Sequence, residues 1–281
     1  MLKLRTEIDT ASNGLKITHA DKLLFIGSCF SDEIGRCLTE RGFDTSVNPF
    51  GPLYNPLSIL NCIERSLDEQ FYTIEDLTQG PRGYHCLDYA TRFSGEDSNK
   101  ILNDINSRLS TLKERIEQGA VVFITLGTSY IYEWAASGAV VGNCHKFPAS
   151  LFKRRRIGVD ECSQAICRIR DILNNHKAGA VVFTVSPIRH LADGFHENTL
   201  SKSTLHLGID TAGVPYFPSY EILMDDLRDY RAYADDLVHV SDIAVKYVYE
   251  KFEDRYFNSA TKQKAALSYK TYRSSLHRQI L

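Results

Sequence analysis

Three short, continuous apolar runs constrain the fold of this 281-residue chain more than any other feature. They cover residues 22–26, 120–126 and 180–185, they are rich in β-branched residues, and the last two share the sequence Ala-Val-Val-Phe. Continuous runs, as opposed to alternating ones, are typical of strands that are covered on both faces, as in parallel sheets. We therefore expect three central strands of an α/β fold.

Amphipathic helical patterns separate these runs. Segments 99–118 and 159–176 carry apolar residues three and four positions apart, and each leads through a glycine towards a strand. Further helices are predicted at 31–41 (capped by Ser31 or Asp32), 56–67, 194–208 and 240–257. This alternation predicts a three-layer α/β/α sandwich with a mainly parallel sheet. We expect one domain, 1–257, followed by a polar, partly helical tail, 258–281.

The composition argues against several classes of protein. A net charge of −2 gives no strong field for nucleic acid or an anionic membrane, and no apolar stretch approaches the ~20 residues of a membrane helix. The first residues lack the apolar core of a signal peptide, and seven irregularly spaced cysteines fit reduced thiols. We expect a cytoplasmic protein without a nucleic-acid or membrane partner, and we interpret the basic run 153–156 as a solvated turn. The oligomeric state stays open.

Polar residues follow each predicted strand, at the edge where parallel sheets bind ligands. They are residues 27–29, 127–129 and 186–190. A nucleophile after Gly27, at the start of a helix, would gain from the positive end of the helix dipole. The alternative is that Ser28 caps the helix and Cys29 fills space beneath it.

A second candidate site lies near the end of the chain. Asp236 and His239 are three residues apart before a predicted helix, and a carboxylate at this spacing can hydrogen-bond to an imidazole and fix its tautomer. The alternative is that Asp236 caps a turn and His239 is a surface residue.

Several blocks of the sequence resemble the GSCFA family. The family is named for a five-residue motif. Gly27-Ser28-Cys29-Phe30 matches its first four residues, and Ser31 stands in the position of the alanine. The other blocks are residues 48–56, 142–148, 186–190, 216–221 and 225–231. The early nucleophile and the late D-x-x-H also resemble the SGNH (GDSL-like) hydrolase superfamily. The resemblance implies a flavodoxin-like sheet and a hydrolase that acts on acyl esters.

The resemblance also implies a nucleophile and its base. The nucleophilic serine of the superfamily falls on Cys29 and the preceding aspartate falls on Ser28, so either residue is a candidate nucleophile. The D-x-x-H block matches at Asp236 and His239. A helix N-terminus and His239 would both favour a thiolate at Cys29.

The oxyanion-binding residues match less completely. The resemblance aligns the superfamily's oxyanion glycine with Gly51, and it places Ser129 where an asparagine is expected. Loss of one such donor lowers the rate by roughly 100-fold or more. Asn143 and Asn48 are candidates to supply the missing amide.

Other polar residues are candidates for substrate contact. His145 or Lys146 would face a substrate carboxylate or hydroxyl, and Arg189 and His190 follow the third strand. The acidic block 225–231 lacks His and Cys, so we interpret it as an ion-pair network and predict no metal site. No P-loop and no G-x-G-x-x-G is present, and no cofactor is predicted.

Three functions follow as hypotheses. The first is hydrolysis or transfer at an acyl ester, with a carbohydrate or small metabolite as the substrate. The second is a non-catalytic binding protein on the same scaffold, which the Ser129 position favours. The third is a thiol-redox sensor at Cys29, with Cys37 as a candidate partner, although two residues eight positions apart need not be close enough for a bridge.

Overall fold

The computed structural model describes residues 6–10, 14–80 and 82–278. The strands are β1 (Lys22–Gly27), β2 (Asp44–Val47), β3 (Thr78–Gly80), β4 (Gly83–His85), β5 (Ser94–Gly95), β6 (Val121–Leu126), β7 (Tyr130–Trp134), β8 (Val140–Val141), β9 (Phe152–Arg156) and β10 (Ala180–Val185). The α-helices are α1 (Phe30–Thr39), α2 (Pro56–Leu67), α3 (Ser98–Glu117), α4 (Val159–Asn175), α5 (Phe195–Ala212), α6 (Ser219–Glu221), α7 (Asp242–Tyr256) and α8 (Ser259–Arg278). A π-helical segment, Ile222–Leu227, continues α6.

The main sheet has four parallel strands in the order β10-β6-β1-β2. Phe25 of β1 pairs with Val47 of β2 on one side and with Phe123 of β6 on the other. The three predicted strands are confirmed to within one residue at each end. From β1 the chain first adds β2 on one side of the sheet and then crosses to add β6 and β10 on the other side. The direction of winding therefore reverses between β1 and β6. Ligands of doubly wound sheets bind at such a switch point.

Helices cover both faces of the main sheet, and each face has its own apolar core. Leu24 and Ile26 of β1 pack in one core with residues of α2, α3, α4 and α5. Leu23 and Phe25 point the other way, because side chains alternate along a strand, and they pack in the second core with α1 and α7. Burial on both faces explains the continuous apolar runs. The predicted α/β class and parallel sheet are confirmed.

Local sequence explains where the helices begin. Asn55 caps α2, since its Oδ1 accepts the Ser58 N–H at 2.8 Å, and Pro56 occupies the first turn. The predicted capping of α1 by Ser31 or Asp32 is wrong. The residue before its first turn is Cys29, and the buried Ser31 hydroxyl donates instead to Thr125 Oγ1 of β6 at 2.7 Å.

Two small antiparallel sheets, β3-β4-β5 and β8-β7-β9, were not predicted. Their strands are short, and the β9 sequence is almost entirely basic. The interpretation of 153–156 as a solvated turn is therefore wrong, because these residues form β9 and pair with β7. Carboxylates compensate part of the positive charge of β9. Arg155 forms ion pairs with Glu133 at 2.8 Å and with Glu161 at 2.7 Å.

The tail after α7 forms one helix, α8. Its Ala265 is fully buried against the second core, so the first half of the helix packs on the domain. Within the residues described here, no helix is both long and apolar enough to cross a membrane.

Candidate active site

A cavity of about 340 Å³ lies at the carboxyl ends of β1, β6 and β10. The three predicted polar strand ends meet there. The residues that line it are Ser28, Cys29, Tyr54, Asn55, Gly127, Thr128, Tyr130, Tyr132, Val141, Gly142, Arg154, Ser186, Ile188, Arg189, His190, Val238 and His239.

A tight turn at Gly27 places residues 28 and 29 at the cavity. Gly27 has a φ of +145°, and a Cβ there would lie 2.1 Å from the carbonyl oxygen of Thr125, so only glycine fits. The Gly27 N–H donates to Asn48 Oδ1 at 2.9 Å and the Ser28 N–H donates to Thr125 O at 3.0 Å. These bonds fix the turn between β1 and α1.

The two candidate nucleophiles differ in their surroundings. Ser28 is 2 % exposed, and its Oγ accepts the Phe30 N–H at 3.3 Å. Cys29 is more exposed, and its thiol contacts the Tyr54 hydroxyl. Burial, followed by the Asp32 carboxylate, raises the pKa of the Cys29 thiol. This direction is opposite to the predicted thiolate, so Cys29 needs a base to become nucleophilic.

Asp236 and His239 form the predicted pair. His239 Nδ1 lies 2.6 Å from Asp236 Oδ2, and Asp236 Oδ1 accepts the N–H groups of Val238 and His239, both at 2.9 Å. The His239 side-chain and backbone hydrogen bonds lower the pKa of Asp236 to about 2. The pair lies in the loop before α7. The Arg189 N–H donates a hydrogen bond to Val238 O of this loop at 3.1 Å.

His239 lines the cavity together with Ser28 and Cys29. In the described part of the chain, the His239 imidazole donates no hydrogen bond to either candidate nucleophile. Catalytic hydrogen bonds are often long before a substrate binds.

The two residues aligned with the superfamily's oxyanion site lie outside the cavity lining. The Gly51 N–H donates to Asn48 O at 2.8 Å. Ser129 is fully buried, and both its N–H and its hydroxyl bond to Ser201 Oγ, at 2.8 and 3.2 Å. Neither residue therefore directs a donor into the cavity.

The candidate amides Asn143 and Asn48 and the candidate contact His145 also lie outside the lining. Asn143 Oδ1 accepts the His145 N–H at 2.8 Å, and His145 Nε2 lies 2.6 Å from Cys86 O. Burial lowers the pKa of His145. These side chains shape the loop before β9, and Asn48 supports the Gly27 turn.

Arg189 and His190 line the cavity, as expected for residues after β10. The Arg189 guanidinium lies 3.9 Å above the Tyr233 ring, and its Nη1 donates to Leu237 O at 3.3 Å. The His190 N–H donates to Asn198 Oδ1 at 2.9 Å.

Lys202 is a buried cation that the sequence analysis missed. Its Nζ donates to the carbonyl oxygens of Gly127 and Ser186, both at 2.7 Å, and so joins the ends of β6 and β10. Burial lowers the pKa of Lys202 to about 7. Lys202 lies three residues before Leu205 on the buried face of α5, and this helical spacing was the available signal.

Asn55 also escaped the sequence analysis, although it caps α2 and lines the cavity. Its Nδ2 donates to Ser58 Oγ at 3.0 Å, which leaves a second N–H on the same nitrogen. Asn55 is therefore an amide donor at the cavity, where Asn143 and Asn48 are not.

The structure does not bring Cys37 close enough to Cys29 for a disulfide. Cys37 lies eight residues after Cys29 along α1, which is roughly 12 Å of helix axis, whereas a disulfide needs Cα atoms within about 7 Å. Cys37 is also buried in the second core. Over residues 6–10, 14–80 and 82–278, no group of His, Cys, Asp or Glu is arranged to hold a metal ion.

Comparison with known families identifies the chain through most of its length. The model of the GSCFA family matches residues 22–252. The chain belongs to the GSCFA family. The GSCFA match spans the cavity residues from Ser28 to His239, and α8 lies beyond it. No curated protein matches this GSCFA chain.

Proposed function

We propose that this GSCFA protein is a hydrolase of the SGNH type that removes acyl groups from a carbohydrate or small-metabolite ester. One observation carries the proposal. Cys29 and His239, about 210 residues apart in the chain, line the same cavity, and Asp236 holds the imidazole of His239 at 2.6 Å. A nucleophile, a base and a group that orients the base are the parts that acyl transfer requires.

In the proposed reaction, Cys29 Sγ attacks the ester carbonyl carbon. His239 Nε2 takes the thiol proton and gives it to the leaving alkoxide as the C–O bond breaks, which leaves an acyl group on Sγ. Water then attacks this thioester and His239 takes a proton of the water. His239 returns the proton to Sγ as the C–S bond breaks, which releases the carboxylic acid and restores the thiol. The raised pKa of Cys29 makes His239 necessary as a base, since the resting thiol is protonated.

Two donors are proposed for the oxyanion. The Cys29 N–H faces its own thiol at the start of α1, and the second Nδ2 hydrogen of Asn55 lies at the cavity. They replace Gly51 and Ser129, whose donors are used elsewhere. Removal of one oxyanion donor typically lowers kcat by roughly 100- to 1,000-fold.

Active-site labelling tests the proposal and chooses the nucleophile. Native protein is treated with a fluorophosphonate probe or with limiting iodoacetamide, and the modified residue is mapped by mass spectrometry, with H239A beside the wild type. We expect alkylation at Cys29 to be faster in the wild type than in H239A, because His239 takes the thiol proton, although the raised pKa of Cys29 keeps it slower than at an unhindered thiol. Fluorophosphonate labelling at Ser28 would move the nucleophile by one residue. Labelling at neither residue would remove the nucleophilic mechanism.

A non-catalytic binding protein is the second candidate. The engagement of Gly51 and Ser129 away from the cavity favours it, because the superfamily's oxyanion donors are then absent. A thermal-shift screen with sugars and acyl esters, run beside a turnover assay, separates the two functions. Stabilisation without turnover supports the binding protein.

A further inference from the structure

Two arginines, Arg154 and Arg189, and two histidines, His190 and His239, line the cavity, and in the described part of the chain no Asp or Glu joins them. A cleft lined by charge of one sign focuses the field and raises the local concentration of ligands of the opposite sign. The lining therefore favours an anionic ligand.

Carboxylates behind the wall lie close to three of these side chains. Arg154 pairs with Asp193 through both terminal nitrogens at 2.5 Å, and His190 Nδ1 lies 3.4 Å from the same carboxylate. His239 pairs with Asp236. Arg154 and His239 are therefore engaged within the protein, whereas His190 Nδ1 makes no hydrogen bond among the described residues.

Arg189 is different, because among the described residues it has no carboxylate partner. The centre of the Tyr233 ring lies 3.9 Å from the guanidinium carbon of Arg189, and the centre of the Tyr230 ring lies 5.3 Å from it. Cation–π contacts with these two rings therefore hold the guanidinium group. The rings accept no N–H hydrogen bond, and within the described residues only Nη1 donates one, to Leu237 O at 3.3 Å. A planar fork with unused donors binds carboxylate or phosphate bidentately.

The rest of the wall suits an uncharged body. Tyr54, Tyr130 and Tyr132 contribute aromatic faces, and Val141 and Ile188 contribute apolar ones. Cavities of this size bind small molecules through apolar walls and a few placed polar groups. A ligand with one anionic end and one acyl ester fits this division.

We propose that the cavity takes a small acyl ester that carries a carboxylate or phosphate group, and that Arg189 binds this group. The reaction on the ester rests on the proposed function, whereas binding of the anion does not. Arg189 thus determines which esters the cavity selects.

Calorimetric titration tests the binding step with succinate, glycerol 3-phosphate and their neutral counterparts succinamide and glycerol. We expect the anions to bind at least tenfold more tightly than the neutral compounds, and their affinity to fall as salt is added. R189M should lower anion affinity at least tenfold, and R189K should lower it less. R228M, which changes an exposed arginine, is the control and should leave anion affinity unchanged. Comparison of the two anions distinguishes carboxylate from phosphate. Equal affinity for charged and neutral compounds, no binding of either anion, or an unchanged R189M overturns the proposal.

Turnover of 4-nitrophenyl hemisuccinate against 4-nitrophenyl valerate tests selection. We expect kcat/KM to favour the anionic ester at least tenfold, and R189M to reduce that ratio, mainly through KM. If neither ester turns over while succinate or glycerol 3-phosphate binds through Arg189, the hydrolase proposal fails and the anion site stands. If both esters turn over with equal kcat/KM, the hydrolase stands and the anion site fails.

Discussion

The Nζ atom of Lys202 lies 2.7 Å from the carbonyl oxygen of Gly127, beneath the floor of the cavity. The same ammonium donates to Ser186 O, so one side chain of α5 ties together the ends of two neighbouring strands. A fully buried lysine is rare, because desolvation disfavours its charged form. Its position beside Cys29 links the packing of the sheet to the electrostatics of the site.

Lys202→Met should destabilise the protein by about 2 kcal/mol, because two buried carbonyls lose their donor at roughly 1–3 kcal/mol each, while the desolvation of a charge is relieved. For a chain of 281 residues that is roughly 3–4 °C in Tm. Thermal unfolding measures the change. Lys264→Met, at an exposed position of α8, is the matched control and should leave Tm unchanged.

The effect of Lys202 should depend on pH. Burial lowers its pKa to about 7 from an unfolded value near 10.5, so between these values the unfolded chain binds more protons than the folded one, and stability rises with pH. The stability of the wild type relative to Lys202→Met should therefore increase from pH 7 to pH 10. Denaturant unfolding in a Cys29→Ala background removes the titration of the thiol. A difference that stays constant with pH would contradict the depressed pKa.

Alkylation of Cys29 should be slow at neutral pH and should accelerate at higher pH than for an unhindered thiol. Burial and the Asp32 carboxylate raise its pKa, and Lys202 acts in the opposite direction. Asp32→Asn should move the pH profile of iodoacetamide alkylation down, and Lys202→Met should move it up. Glu33→Gln should move the profile down by less than Asp32→Asn, since Glu33 contributes less than Asp32 to the raised pKa of Cys29. A midpoint below that of free cysteine would show that the helix dipole prevails.

Asp236→Asn should lower kcat on the order of 10³- to 10⁴-fold, because an amide cannot accept from Nδ1–H in the same way and selects the wrong imidazole tautomer. The fold should be retained, since the pair is exposed. Asp235→Asn, one residue earlier and exposed, should have full activity. The measurement is ester turnover with circular dichroism on all three proteins. Similar loss in both variants would exclude a specific role for Asp236.

Gly27→Ala should destabilise the protein by more than about 3 kcal/mol, because its Cβ would lie 2.1 Å from the Thr125 carbonyl oxygen. Gly138→Ala is the matched control: Gly138 also has a positive φ, but no atom lies within 4 Å of an added Cβ. It should cost about 1–2 kcal/mol, the strain of the left-handed backbone alone. Equal losses in urea unfolding would show that the close approach to Thr125 is not limiting.

Strong local patterns made the core of the fold predictable from the sequence. The strands β1, β6 and β10 are almost entirely apolar because both faces are covered, and α3 and α4 carry buried apolar residues three and four positions apart. β2 was missed because it is a partly exposed strand with a polar sequence. β9 was missed because its charges are satisfied by carboxylates distant in sequence.

The candidate site was predictable only where a motif carried it. Residues 27–29 and the Asp236–His239 pair were found because spacing and strand ends predict them. Gly51 and Ser129 were assigned from the family resemblance. Their donors bond to Asn48 O and to Ser201 Oγ, outside the cavity. Lys202 contributes through three-dimensional placement on two carbonyls, and sequence spacing shows only that it lies on a buried face.

The two halves of the cavity wall are made at different times. At a synthesis rate of about 5–20 residues per second, His239 follows Cys29 by roughly 10–40 s, since about 210 residues separate them. During that interval the nascent chain holds a thiol without its base. If Cys29 and His239 act together as proposed, a fragment released early does not react with an ester, and reactivity would report that the ribosome has delivered almost the whole matched segment.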